Sequence, residues 1–225
     1  MPYKIIFIFI VSCIFNKVAS AQRGQKDAAL WVNIYVEKKI NKKYNLHLNQ
    51  QNRWNNNISQ YAQGYTDVGL TRRINKYFKV MFDLVYILRR SEDQSYASRY
   101  QYYTAIIAAK RMNRFKFSYR LMLQGQNNRS YFSRDNYPVL YLRNKVTAKH
   151  QFNKYITAYV AEEIFLPMNN YKVKGLDRSR SFMGFFYSMG RRYELEIYMA
   201  YQHQLNPITK RKQDFIYGLG YSFKI

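Results

Sequence analysis

Phe215-Ile216-Tyr217-Gly218-Leu219-Gly220-Tyr221-Ser222-Phe223-Lys224-Ile225 is the stretch whose reading decides the fold. Phe215, Tyr217, Leu219, Tyr221, Phe223 and Ile225 hold every second position, and Ile216, Gly218, Gly220, Ser222 and Lys224 lie between them. Successive side chains of a strand point to opposite faces, so this stretch has one face of large apolar groups and one that is mostly small or polar. A strand with its ring face in lipid belongs to a chain that alternates throughout, in segments of about ten residues. Val80, Phe82, Leu84, Tyr86 and Leu88 alternate with Lys79, Asp83 and Arg89, and Phe115, Phe117, Tyr119, Leu121 and Leu123 alternate with Lys116, Ser118, Arg120 and Gln124. Tyr193, Leu195, Ile197, Met199 and Tyr201 do the same against Glu194, Glu196, Ala200 and Gln202. The predicted fold is all-β: an antiparallel transmembrane β-barrel, closed by a strand that turns Phe215, Tyr217, Leu219, Tyr221, Phe223 and Ile225 to lipid.

A short motif punctuates these segments: an apolar residue, Asn or Gly, one or two basic residues, then an aromatic. Its copies are Ile40-Asn41-Lys42-Lys43-Tyr44, Ile74-Asn75-Lys76-Tyr77, Met112-Asn113-Arg114-Phe115, Phe152-Asn153-Lys154-Tyr155 and Met189-Gly190-Arg191-Arg192-Tyr193, spaced by 34 to 40 residues. Asn and Gly tolerate the positive φ of tight hairpins, so each copy reads as a short turn between antiparallel strands. The polar stretches Asn55 to Gln60, Ser91 to Ala97, Gln126 to Pro138, Pro167 to Ser179 and Gln204 to Gln213 read as longer loops. Short turns at the periplasmic rim and longer loops at the extracellular rim are the asymmetry of outer-membrane barrels.

Between turns and loops lie about eleven strand segments, near Leu30, Leu46, Tyr65, Phe82, Ile106, Phe117, Leu142, Val160, Phe185, Ile197 and Leu219. Bacterial single-chain barrels have even strand numbers. The expectation is therefore 12 strands in preference to 10, with a strand to be found near the mature N-terminus or one segment outside the wall. Placing the short turns in the periplasm would start Ala28 to Lys38 on the outside.

The chain opens with Lys4, an apolar run from Ile5 to Phe15, and Ala19-Ser20-Ala21. This is the pattern of a signal peptide, residues 1–21, cleaved after Ala21 to leave a single domain from Gln22 to Ile225. A lipoprotein site at Cys13 fits less well, since the run before it is very short. Loss of the leader removes the only cysteine, and with it disulfide and thiolate chemistry. It also lowers the formal net charge from +24 to +22 by removing Lys4 and Lys17. Such a charge with 24 tyrosines suits a nucleic-acid binder in the cytoplasm. For an exported chain it points instead to lipopolysaccharide phosphates, acidic polysaccharides and small organic anions.

A charged side chain facing lipid at the bilayer midplane costs about 2 to 4 kcal/mol for Lys or Arg. The charged face of each strand should therefore line the lumen: Lys116, Arg120, Arg143, Lys145 and Lys149, with Asp83, Glu194, Glu196 and at least one of Glu162 and Glu163. The loop cations Arg129, Arg134, Lys172, Lys174, Lys210, Arg211 and Lys212, with Arg72, Arg73, Arg89, Arg90, Arg178 and Arg180 at strand ends, are the candidates for contact with surface polyanions.

The chain resembles the uncharacterised outer-membrane barrels of Bacteroidetes-type bacteria that are grouped as a domain of unknown function. The resemblance covers Asp27 to Ile225 and rests on Ala29-Leu30-Trp31-Val32, Tyr141-Leu142-Arg143, Glu163-Ile164-Phe165 and the closing Tyr217-Gly218-Leu219-Gly220-Tyr221. The closing segment is also similar to the final strand of outer-membrane barrels, with Phe223 two residues short of the end. The resemblance implies a fold, an outer-membrane location and assembly by the barrel-assembly machinery through the last strand; it brings no catalytic residue.

Two functions from different classes follow: a narrow pore preferring anions, and a closed structural or binding barrel whose basic loops grip lipopolysaccharide. An outer-membrane lipid hydrolase ranks below both. His47, His150 and His203 are the available bases, and none stands beside a recognisable Ser motif. They also lack paired ligand spacing, so neither a metal nor a cofactor is expected. Glu162 and Glu163 point opposite ways and cannot form one carboxylate pair, while Glu194 and Glu196 read as neutralising lumen cations.

Overall fold

The computed structural model describes residues 25–91, 93–127, 138–169, 175–205 and 212–225. Within them the chain forms β1 (Gln25–Lys39), β2 (Tyr44–Asn55), β3 (Gln60–Arg73), β4 (Phe78–Arg90), β5 (Tyr96–Met112), β6 (Phe115–Gln126), β7 (Val139–Gln151), β8 (Ile156–Pro167), β9 (Arg178–Met189), β10 (Tyr193–Gln204) and β11 (Lys212–Lys224). Each strand pairs antiparallel with the next, and β1 closes the barrel by pairing parallel with β11, Trp31 opposite Gly218 and Val32 opposite Leu219.

Eleven strands among the described residues correct the expected 12. An up-and-down barrel with an odd count must have one parallel seam, because its first and last strands then run the same way. Here that seam lets β1 start beside Lys212 on the long-loop rim and run down to the turn at 40–43. No extra strand is needed: the segment beginning near Ala28 starts on the long-loop side.

The turns depart from expectation in their chemistry. Asn113 and Gly190 do take positive φ, 53° and 86°. Asn41, Asn75 and Asn153 act differently, each folding its Oδ1 back to accept two backbone N–H groups. These come from Lys43 and Tyr44, from Tyr77 and Phe78, and from Tyr155 and Ile156, at 2.8–2.9 Å. The side chain supplies the turn's hydrogen bonds, so positive φ is not required. At the opposite rim, two of the five expected long loops are tight. The β2–β3 connection, 56–59, places Asn56, Asn57 and Ile58 at positive φ. Asp27 holds it by accepting from the N–H groups of Asn56 and Asn57 at 3.1 and 2.8 Å. The β4–β5 connection, 91–95, closes through an N–H of Ser91 to the Ser95 carbonyl at 2.8 Å.

Alternation sorts the side chains. Leu84, Val146, Phe185 and Ile197 are each more than half exposed on the outer face. The inner face carries buried Trp31, Asp83, Glu163, Arg180, Tyr198 and Gln202. Strands about 4.8 Å apart and tilted about 40° give eleven of them a backbone radius of about 11 Å. Long side chains from opposite walls therefore meet inside. Aromatic packing fills the β8 to β1 side: Tyr159, Tyr198 and Trp31 cluster with Ala29, Ala161, Ala200 and Ile216, with Phe182 and Phe186 against them. Gly218 makes this possible, since a Cβ there would come within 2.0 Å of the Tyr198 ring.

Candidate functional site

The inward face of β6 to β9 is where the lumen's charge converges. Arg120, Arg143, Glu163 and Arg180 occupy neighbouring strands at one level, brought together by the registers Arg120 opposite Lys145, Lys145 opposite Glu163, and Glu163 opposite Arg180. Glu163 is 1% exposed. Its Oε1 accepts from Arg120 Nη2 at 2.7 Å and from Arg143 Nη2 and Nε at 2.7 and 3.0 Å, and its Oε2 lies 3.8 Å from Arg180 Nη1. One carboxylate thus meets three guanidiniums. A buried charge of this kind needs compensation, which comes from three charged hydrogen bonds on Oε1 and the Arg180 contact on Oε2.

The network continues across and upward. Arg143 Nη1 donates to Gln124 at 2.9 Å, and Arg180 Nε donates to Gln202 at 3.0 Å. Gln202 passes a hydrogen bond to Asp214 at 2.7 Å, and the Lys212 ammonium bridges Asp214 and Asp27 at 3.2 Å each. Arg180 also lies 4.7 Å over the Trp31 ring, and Arg53 stacks on that ring at 3.8 Å. The Arg53 guanidinium sits 4.1 Å over Tyr65 as well. Aromatic faces attract cations whose water has been removed, and Arg53 also donates to Gln51 Oε1 and the Tyr65 hydroxyl, so it is held without a carboxylate. Trp31, Arg53 and Tyr65 therefore face the Glu163 cluster from the β1–β3 wall and complete a waist.

Two cavities with no lining residue in common flank this waist. The one toward the long loops, about 500 Å³, is lined by Arg53, Arg143, Arg178 and Arg180 among others, and the one toward the short turns, about 440 Å³, by Arg120, Lys145 and Lys149. In the latter, Lys145 Nζ lies 4.0 Å over Phe182 and Lys149 Nζ 3.8 Å over Phe186. Neither ammonium forms an ion pair with a described residue. Glu196 lines the same cavity and accepts a hydrogen bond from the Tyr159 hydroxyl at 2.6 Å.

Of the residues expected in the lumen, Arg120, Arg143, Lys145, Lys149 and Glu196 line these two cavities. Glu194 shares the inward face of β10 nearer the short turns, and Lys116 is exposed on the inward face of β6 near the same rim. Asp83 is inward but elsewhere, on β4 with His47 Nε2 at 2.9 Å. Of the carboxylate pair, Glu163 points in, and Glu162 therefore points out, beside Val146 and Ser181.

Arg129, Arg134, Lys172, Lys174, Lys210 and Arg211 lie outside the described residues. Lys212, Arg178 and Arg180, expected among the polyanion-binding cations, belong to strands: Lys212 opens β11 and is held by two carboxylates, Arg178 opens β9 beside Asp177, and Arg180 is buried at the waist. Arg53 was not singled out by the sequence reading, and Trp31 entered it only as part of the resemblance, not as a lumen residue. The available signal was parity, since Arg53 shares the face of Gln51 and Asn49 and Trp31 that of Asn33. Phe215, Tyr217, Leu219 and Tyr221 are exposed on the outer face of β11, Phe223 less so. Ile225 follows the strand, bonded through its backbone to Glu37 and Lys39.

No hydroxyl is hydrogen-bonded to His47, His150 or His203 among the described residues. His150 instead packs between the rings of Phe115 and Phe152, with centroids 4.4 and 4.8 Å away.

Among solved structures, the chain is similar to the NanC porin in its rhombohedral crystal form, with a TM-score of 0.56 and 14% identity over 88% of this chain and 99% of that one. That likeness is one of fold. No curated protein sequence matches the chain. A family model covers residues 28–213, which is most of the sequence, and the chain belongs to that family, described as "Protein of unknown function (DUF2490)".

Proposed function

We propose that this chain is an outer-membrane β-barrel forming a narrow, anion-preferring pore. The observation that carries the reading is the charge of the waist: Glu163 alone stands against Arg120, Arg143 and Arg180, with Lys145 one register step away and Arg53 on the facing wall. Cation-lined constrictions favour anions. A membrane location is supported by the outer face, where Phe82, Leu84, Ile106, Phe185, Ile197 and Met199 lie exposed around a polar interior. Strands of 12 to 17 residues exceed the 9 to 11 or so needed to cross a bilayer. The leader ending at Ala21 supplies export, and the ring-faced β11 is the segment for the assembly machinery. This role requires no catalytic group.

The test is a planar-bilayer recording of the refolded mature chain under a salt gradient. The reading expects small conductance with an anion-selective reversal potential, reduced or reversed when Arg120, Lys145 and Lys149 are all replaced by Gln. Cation selectivity in the unaltered protein rejects it.

One observation favours a closed barrel instead: the waist hydrogen bonds separate two cavities that share no lining residue. On that reading the loop cations bind lipopolysaccharide, conductance is absent, and binding weakens steeply with salt.

A further inference from the structure

Away from the waist, on the inward face of β2, β3 and β4, lies a group that the pore reading does not use. His47, Asp67 and Asp83 each bring a ligand atom to within 4.8 Å of the others. They come from three adjacent strands, with His47 opposite Gly69 and Gly69 opposite Asp83. His47 is 5% and Asp83 2% exposed, and Asp67 is partly open to the lumen. Gly69 is what lets the outer two meet: a Cβ there would lie 1.7 Å from Asp83 Oδ1 and 2.4 Å from His47 Nε2.

The bonding in this group is incomplete. His47 Nε2 lies 2.9 Å from Asp83 Oδ1 without the alignment of a ring N–H···O hydrogen bond. Asp67 Oδ1 and Asp83 Oδ1 are sealed from solvent; Asp67 Oδ1 has no hydrogen-bond donor among the described residues, and Asp83 Oδ1 has only the His47 contact. The charge balance is just as unusual. Basic residues outnumber acidic ones 37 to 13, yet no Lys or Arg among the described residues forms an ion pair with Asp67 or Asp83. Two inward carboxylates and one imidazole lie together, a combination that a divalent cation neutralises and whose one nitrogen and two oxygens are suited to ligate it. The His47 ring is steadied by stacking on Tyr35, with centroids 5.5 Å apart.

We propose that His47, Asp67 and Asp83 form a binding site for one divalent transition-metal ion, with its remaining positions open to lumen water on the Asp67 side. Bound there, the ion would tie β2, β3 and β4 together through their side chains. The site stands whether or not the barrel conducts.

The experiment uses the tag-free mature barrel, refolded in detergent, stripped with a chelator and titrated calorimetrically with zinc chloride. One ion per barrel is expected, with a rise in melting temperature. Loss of a residue that merely orients a ligand costs about 10- to 100-fold in affinity. Asp67→Asn, which leaves the His47–Asp83 contact in place, should therefore weaken zinc binding at least about tenfold and shrink the melting shift at a given zinc concentration. Heat-modifiable gel mobility verifies that this variant is folded, and His47→Gln is the second arm. The proposal is overturned by the absence of saturable one-to-one binding, by binding that survives both substitutions, or by calcium binding more tightly than zinc, since calcium would leave the imidazole idle.

Discussion

Replacing Glu163 by Gln removes the single negative charge at the waist while keeping the shape of the side chain. Glu163 is 1% exposed, and its partners Arg143 and Arg180 are 14% and 8% exposed, so water cannot take over the lost interaction at those two. Arg120 is 25% exposed and borders the short-turn cavity, where it can turn toward water. Breaking a buried ion pair by deleting one partner costs about 3–5 kcal/mol. With Arg120 free to relax and the Gln oxygen still accepting a hydrogen bond, the lower end applies. Unfolding in urea, followed by gel mobility of the refolded barrel in lipid, should show a loss of about 3 kcal/mol, roughly a hundredfold in the folding equilibrium. Adding Arg143→Met should recover part of that loss, because the hub then has one fewer unneutralised guanidinium. A Glu163→Gln barrel within about 0.5 kcal/mol of the original would show that the cluster is hydrated rather than buried, and the waist would lose its physical basis.

Two further outcomes follow from the wall itself. Gly218→Ala places a methyl group against the Tyr198 ring, so melting temperature should fall measurably, and Tyr198→Leu in the same chain should restore part of it; an undisturbed single mutant refutes the packing. Because β1 begins beside Lys212, an epitope inserted before Gln25 should be accessible to antibody on intact cells, whereas one inserted in the 113–114 turn should not.

Most of the wall was legible in the sequence because a strand's side-chain period is two and the outward positions are mostly apolar. Leu84 and Ile197 show this: their neighbours Asp83 and Glu196 are polar, and parity alone sends those inward. Closure was less legible. Strand parity says nothing of whether first and last strands run alike, so an even count was expected where β1 and β11 are parallel. The loop at 56–59 was placed correctly but expected to be long, for a related reason. The cap that tightens this turn, Asp27, lies far away in sequence and reaches it only through the β1–β2 pairing.

The candidate sites show the same division between what one strand encodes and what several strands assemble. Arg120, Arg143 and Lys145 could be placed in the lumen one strand at a time, but the hub at Glu163 depends on registers that bring β6, β7, β8 and β9 level. Arg180 illustrates the cost of reading without register: in sequence it borders a basic loop, and in the barrel it is the buried link between Glu163 and Gln202. The His47, Asp67 and Asp83 group was hidden more deeply, because metal-ligand spacing is sought along a chain and these ligands are spaced across three strands. What the sequence does carry there is Gly69, a residue that weakens a strand interior unless something needs its missing side chain. A glycine flanked across both ladders by a histidine and an aspartate is the trace that the assembled group leaves in one dimension.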